Sequence, residues 1–481
     1  MKLDLNIFSI LLIPHRIAPD KDFFQSGQLM YVDSPDAGLR EKIRYTMGQS
    51  VEFVVASDDA VSMLIKHWRA ELAPDMGDSS EDETEFSDED LKDLSSDAPV
   101  IRLVNHLFER VLDLNASDIH FEPEEHSFNI RCRVDGIMQQ IETLPVSAQP
   151  AVTSRLKLMA KLDIGEKRLP QDGRIEYTLG QKKIDMRVST LPGVHGESIV
   201  LRILDRSDIL VDLEELGMPP QVLNHWQKMI KQPHGMILVT GPTGSGKTTT
   251  LYATLEKIST QQQKMITVED PVEYQLEGIT QIQVNSKIGL NFAAGLRSIV
   301  RQDPDVIMIG EIRDHETASI AIESALTGHL VFSTLHTNDA AGSISRLQDM
   351  GVEPYLISSS LLAVQAQRLV RENCPECSVE HKMTEVEAKL LDISLAEMPT
   401  IHRGDGCNHC GGTGYRGRVG LYELLIINDE IRHLINTDAD ANVIRTKAIE
   451  QGMQTLRQDA LAKLASGMTT VEEVVRVTRA I

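Results

Sequence analysis

The sequence predicts a mixed α/β protein of several domains, the largest of them built on a mostly parallel sheet covered on both faces. Three observations carry this. The chain has 481 residues, and at about 150 residues per domain that is three cores rather than one. From residue 210 onward, four short apolar stretches at 236–240, 265–268, 306–309 and 330–334 are separated by helix-length segments, the pattern of buried parallel strands joined by crossover helices. Directly after the first of these stands G-x-x-x-x-G-K-T, residues 241–248, a turn that belongs between a strand and a helix.

The remaining elements follow in chain order. Residues 1–74 form a small α/β module in which 51–55 reads as a strand and 60–72 as a helix. Lys2 and the apolar run 7–13 imitate a secretory signal, but Asp4 and Asn6 interrupt it and Pro14 ends it, so residues 1–14 are expected to be folded structure. Between 75 and 97, eleven acidic residues stand against Lys92 alone. Such a stretch repels itself and buries almost nothing, so a flexible linker is expected, with an acidic docking tail as the alternative. Residues 98–209 read as an α+β domain. A helix at 100–112 precedes alternating strands in which Ile130, Cys132 and Val134 oppose Arg131 and Arg133, Ile184, Met186 and Val188 oppose Asp185 and Arg187, and Ile199, Leu201 and Ile203 oppose Val200 and Arg202. The sheet therefore presents arginines on one face. The parallel-sheet domain spans 210–370, a four-cysteine element 371–412, and a mainly helical region, read as helical from Glu423, completes 413–481.

Composition narrows the function. With 41% hydrophobic and 25% charged residues the chain folds. Its formal charge of −23 opposes phosphate backbones and anionic lipid, so no nucleic-acid partner is expected. No apolar run reaches the roughly 18 to 20 residues that span a bilayer. Five cysteines in so long a chain suit a reducing compartment rather than a disulfide framework.

The chemistry concentrates in two places. In Gly241, Pro242, Thr243, Gly244, Ser245, Gly246, Lys247, Thr248 and Thr249, glycines turn backbone N–H groups inward around phosphates, the following helix offers its positive end, Lys247 reaches the β and γ phosphates of a nucleotide such as ATP, and Thr248 ligates Mg²⁺. Hydrolysis needs acidic groups near the metal and the attacking water. Two strands supply them at their carboxyl ends, one running into Glu269, Asp270 and Glu273, the other into Glu311. His336 ends a further strand at the same edge, either sensing the γ-phosphate or satisfying a local bond, while His329 suits a structural bond. Arg297 and Arg301, four apart in a predicted helix, share a face as surface ion pairs or as phosphate ligands. The second place is Cys374, Cys377, Cys407 and Cys410, or C-x2-C-x29-C-x2-C. Two chelating knuckles at this spacing close a tetrahedral, structural Zn²⁺ site, with an iron–sulfur cluster or four reduced thiols as alternatives.

In their order, the phosphate loop, ITVEDPVEY at 266–274, GEIRD at 310–314 and GHLVFSTLHTN at 328–338 resemble the Walker A, Asp box, Walker B and His box of the secretion superfamily ATPases. ASDIHFEP at 116–123, RCRVDG at 131–136, KRLPQDGRI at 167–175, GYRGR at 414–418 and the cysteine element extend the resemblance to its assembly branch, most closely the type II secretion ATPases, with type IV pilus assembly ATPases as the competitor. The resemblance implies a RecA-like P-loop ATPase domain after a PAS-like α+β domain. It implies Glu273 as general base, Glu311 as the Walker B acid on Mg²⁺, and Arg187, Arg202, Arg297, Arg301 and Arg133 as phosphate ligands when the domains close. Ser198 departs from a position that is often basic in the family. The resemblance further implies a homohexamer at the cytoplasmic face of the inner membrane, working on the cytoplasmic domain of one platform protein and on a second, polytopic platform protein to assemble a pseudopilus. The N-terminal module would do the docking.

Overall fold

The computed structural model describes residues 17–19, 28–31, 52–55, 61, 64, 98–179, 182–205 and 211–478. The chain divides into two compact units, Met1–Glu85 and Phe86–Ile481. In the first, β1 (Ile17–Pro19), β2 (Gln28–Tyr31) and β3 (Glu52–Val55) form a sheet in that order, antiparallel and then parallel. The strand expected at 51–55 is β3. Of the helix expected at 60–72, Val61 and Leu64 are helical and buried, three apart on one face, and the rest lies outside the described residues, as do residues 1–14 and the acidic stretch 75–97.

The second unit begins with helix α1 (Ala98–Asp113), three strands β4 (Asp118–Pro123), β5 (Phe128–Val134) and β6 (Ile137–Leu144), helix α2 (Gln149–Met159), and strands β7 (Gln171–Leu179), β8 (Lys182–Gly193) and β9 (Gly196–Asp205). The six strands pair antiparallel in the order β6-β5-β4-β9-β8-β7. Strand alternation sends Ile119, Cys132, Met186 and Leu201 to one face, where they bury Val104, Phe108 and Val111 of α1 and Val152 and Leu156 of α2. The opposite face carries one cross-strand row: Arg133 faces Asp118, Asp118 faces Arg202, Arg202 faces Arg187, and Arg187 faces Arg174. Four guanidinium groups around one carboxylate is the arginine-bearing face that the alternation predicts, made continuous by register.

The larger sheet follows helix α3 (Pro220–Met229) and has seven strands in the order β12-β11-β13-β14-β10-β15-β18. Strands β10 (Gly235–Thr240), β11 (Met265–Glu269), β13 (Val306–Ile309) and β14 (Leu330–Leu335) are the four predicted from sequence and are parallel. Strands β12 (Thr280–Gln283), β15 (Leu361–Asn373) and β18 (Tyr415–Ile426) are additions, the last antiparallel at the edge. Both faces are covered. On β10, Met236 and Leu238 enter one core with helices α5 (Phe292–Ile299), α6 (His315–Leu326), α7 (Gly342–Asp349) and α8 (Pro354–Ser360). Ile237 and Val239 enter the other, with α3 and helix α4 (Lys247–Ile258).

Between β15 and β18 lies the cysteine element, with β16 (Ser378–Lys382) paired antiparallel to β17 (Thr400–Gly404) around helix α9 (Glu385–Leu391). The tail read as mainly helical from Glu423 is so from Asp429 onward; its first residues, Glu423 to Ile426, instead finish β18, because the mostly apolar stretch from Val419 to Leu425 pairs with β15 and is buried. Helices α10 (Asp429–Asn436), α11 (Ala441–Glu450), α12 (Leu456–Ala465) and α13 (Val471–Thr478) follow. Among the described residues no helix is long and apolar enough to cross a membrane.

Candidate functional site

In a parallel sheet every strand delivers its carboxyl end to the same edge. Here β10 ends in the phosphate loop, β11 in Asp270 to Glu273, β13 in Gly310 and Glu311, and β14 in His336. The groups chosen by strand-end reasoning therefore converge.

The loop is shaped by glycine. Gly241 has φ +150°, and a Cβ there would come within 2.4 Å of the Gln367 carbonyl oxygen; at Gly246, φ +85°, it would meet Gln367 Nε2 at 2.8 Å. Lys247, first residue of α4, folds back so that Nζ donates to Gly241 O at 2.8 Å and Pro242 O at 3.0 Å. Ser245 Oγ is buried in the loop with no hydrogen-bond partner among the described residues, while Pro242, Thr243, Gly244, Thr248 and Thr249 are exposed around it. A cradle with an unspent hydroxyl and a cation bonded to its own carbonyls suits a phosphate chain. Burial, reinforced by Arg368 and opposed by Glu311, holds the Lys247 ammonium down at about 8.

Glu311 is largely buried and pairs with Arg313, while its other oxygen is 3.4 Å from His336 Nε2. His336 is half-exposed, and burial followed by the nearby Lys247 charge pushes its pKa below the usual histidine value against the pull of Glu311. His329, at the other end of β14, bonds Ser324 O through Nδ1 at 2.8 Å, a structural contact far along the strand from the site edge.

Glu273 is reached from the antiparallel sheet. Arg187, on β8, donates through Nη2 to Val272 O at 2.9 Å, and its Nη1 is 3.5 Å from Glu273 Oε2. The Asp-box turn is also fixed from beneath by residues the sequence did not single out for this. Glu269 is buried, accepts from Tyr252 of α4, from Thr267 Oγ1 at 2.5 Å and from Gln281 Nε2 at 3.1 Å, so the helix of the phosphate loop and the acidic turn share one carboxylate. Burial and Glu269 raise the Tyr252 phenol, which stays protonated.

The other arginines lie as follows. Arg202 bonds Asp118 Oδ1 at 3.1 Å and Arg133 Nε is 3.8 Å from Asp118 Oδ2, so the one carboxylate of the row holds both. Arg297 pairs with Glu316 at the start of α6. The helix that was to carry Arg297 and Arg301 on one face stops at Ile299; Arg301 sits in a short 3₁₀ turn ended by Asp303 at φ +53° and donates to Arg297 O at 2.8 Å. Both face outward in the single chain. Asp118 and Arg174 lie within stretches that carried the resemblance, but only register reveals their row.

The four cysteines form a second site. Their ligand atoms all lie within 4.8 Å of one another, with sulfur pairs 374–407 at 3.8 Å, 377–410 at 3.9 Å and 407–410 at 3.8 Å. Tetrahedral Zn–S bonds of about 2.3 Å put sulfurs about 3.8 Å apart, so the set fits zinc. Burial disfavours the Cys410 thiolate, yet N–H groups of Cys407 and Gly414 donate to its sulfur, both at 3.2 Å, and bring it down to about 6.

A phosphate loop at the mouth of a doubly covered parallel sheet, flanked by acidic strand ends, defines a P-loop nucleotide-binding protein. The family model described as type II/IV secretion system protein matches residues 93–476. The chain belongs to that family. It is 50% identical over 391 residues to the type II secretion system protein E of Pseudomonas aeruginosa, covering 81% of this chain and 78% of the relative. It is 46% identical over 450 residues to the type IV pilus assembly ATPase PilB of Myxococcus xanthus, covering 90% and 79%. Among solved structures it resembles the pilus retraction motor PilT with bound ADP, with TM-score 0.53 and 28% identity over 77% of this chain and 96% of that one.

Proposed function

We propose that the chain is the ATP-hydrolysing motor of a type II secretion system, acting as a homohexamer at the cytoplasmic face of the inner membrane to drive pseudopilus assembly. One observation carries the motor reading: Arg187 of the antiparallel sheet already reaches Val272 O and Glu273, beside the phosphate loop. Contact between two lobes at the nucleotide edge is what lets phosphate binding and release move one against the other. In this reading Lys247 and the loop N–H groups bind the phosphates, Glu273 orients and deprotonates the attacking water, His336 beside Glu311 senses the terminal phosphate, and Arg187, Arg202, Arg297 and Arg301 meet phosphate charge as subunits close. Magnesium, when bound, is held by Thr248 and Glu311 and offsets phosphate charge. Zinc, when bound by the four cysteines, fastens the excursion between β15 and β18.

The domain scheme belongs to the same proposal: 1–74 docks to the cytoplasmic domain of a platform protein, 75–97 tethers, 98–209 carries the arginines, 210–370 holds the nucleotide, 371–412 the metal, and 413–481 completes the C-terminal region beside the polytopic platform protein. The competing reading, a type IV pilus assembly ATPase, draws on the match that covers 90% of the chain. Purified full-length protein is expected to release phosphate from ATP over many turnovers, and K247A and E311A to abolish it; wild-type turnover in either variant overturns the site. Restoration of secretion in a strain lacking its secretion ATPase, without restoration of pili in a pilus-assembly mutant, separates the two readings.

A further inference from the structure

Arg368 is a cation the mechanism above does not use. It lies on β15, next to the phosphate-loop strand, and is 7% exposed. Among the described residues no carboxylate pairs with it directly; those of Asp339 and Glu423 act on it only from beyond ion-pair distance. A buried guanidinium without a paired anion is costly, and an apolar residue would pack the position at less expense. Its donors go to Asn338 O at 3.1 Å, Asn338 Oδ1 at 3.0 Å and Gln367 O at 3.5 Å. Alternation along β15 explains the geometry. Gln367 turns towards α4, where it accepts from Thr250 Oγ1 at 2.8 Å, and Arg368 turns to the other face, beneath the segment leaving β14.

That segment carries His336. Its neighbours' backbone N–H groups are each fastened by a single bond, that of Thr337 to Thr240 Oγ1 at 2.9 Å and that of Ala340 to Glu423 Oε1 at 2.9 Å. Between them Arg368 grips both the backbone and the side chain of Asn338, two residues from the imidazole that stands 3.4 Å from Glu311. We infer that Arg368 is a positioning residue for the terminal-phosphate sensor: by clamping Asn338 at two points it fixes the path of the loop and so holds His336 against Glu311. This rests on the reading of His336 as that sensor.

The test compares R368Q, R368K, N338A, H336A and the double variant R368Q/H336A in the full chain, recording kcat and KM for ATP, binding of a fluorescent ADP analogue, and thermal melting. Loss of a charged donor's bonds predicts a kcat about tenfold lower in R368Q, with KM and ADP affinity changing less than kcat, because Arg368 bonds Asn338 and reaches Lys247 only through its charge. R368K, with a point charge in place of the fork, recovers part of the loss. R368Q/H336A is expected to be no slower than H336A. Wild-type kcat in R368Q, or losses that multiply in the double variant, overturn the inference. Wild-type kcat in H336A overturns the sensor reading instead, a distinguishable result. Should R368Q fail to fold, the exposed Asn338 decides: N338A is expected to lose about threefold in kcat without adding to H336A, and wild-type kcat there refutes the clamp.

Discussion

Replacing Arg187 by alanine removes the one described side chain that joins the arginine-bearing sheet to the acidic turn. Two contacts disappear, the 2.9 Å bond to Val272 O and the 3.5 Å approach to Glu273. A hydrogen bond from a charged donor contributes about 1.5–3 kcal/mol, and the looser ion pair, whose carboxylate is 34% exposed, adds at most about 1 kcal/mol. If those contacts orient Glu273 as the lobes close, their loss lowers kcat/KM for ATP by about 10- to 900-fold. Removal of Arg187 also leaves Arg174 and Arg202 in the row, so the sheet face keeps its positive charge and the loss is specific to the bridge. Arginine and lysine differ here: a single ammonium cannot serve a carbonyl and a carboxylate through a planar fork, so R187K should fall between the two. Steady-state phosphate release, with thermal melting to confirm folding, reads the effect. A kcat/KM in R187A within twofold of wild type refutes the argument that this contact sets up the site.

Other outcomes follow from the two sites. C407S should lower bound zinc, measured by elemental analysis, from one atom per chain to none and reduce the melting temperature, since metal closure of four thiolates supplies on the order of 10–16 kcal/mol of apparent binding energy; wild-type protein without zinc contradicts it. The depressed Lys247 sets a pH limit on nucleotide binding. Phosphate needs the ammonium, so affinity for ATP should be level below about pH 8 and weaken by up to about tenfold per unit above it. Stability of the nucleotide-free protein moves the other way. With a folded pKa below the unfolded one, Lys247 contributes a gain in stability as pH rises from about 8 towards the ordinary lysine value.

The four strands that build the site edge were legible because each is a short, mainly apolar run that leads into acidic, histidine or glycine residues. Strand β15 was not, because its position beside the phosphate loop is occupied by Gln365, Gln367 and Arg368, polar residues that break the apolar pattern and are nonetheless buried. Strand β18 was partly hidden because it returns antiparallel after the cysteine excursion. The loop, Glu273, Glu311 and His336 could be placed from strand ends alone. The Tyr252–Glu269 link could not, since a tyrosine on an amphipathic helix reads as core and a glutamate among several acids at a strand end has no distinguishing neighbour. The row of Arg133, Asp118, Arg202, Arg187 and Arg174 depends on register between strands up to 84 residues apart, which no local pattern encodes. Arg297 and Arg301 look like helix neighbours until the left-handed Asp303 shows where the helix has already ended.

The central claim is that nucleotide state controls the separation between the arginine-bearing sheet and the parallel-sheet core. It is tested most directly by a distance measurement between two labels on the full-length protein, one at the exposed β8–β9 turn near Val194 and one at the exposed Tyr355. The distribution should differ between a slowly hydrolysed ATP analogue and ADP, and that difference should vanish in R187A. Identical distributions in the empty, triphosphate and diphosphate states would contradict the account.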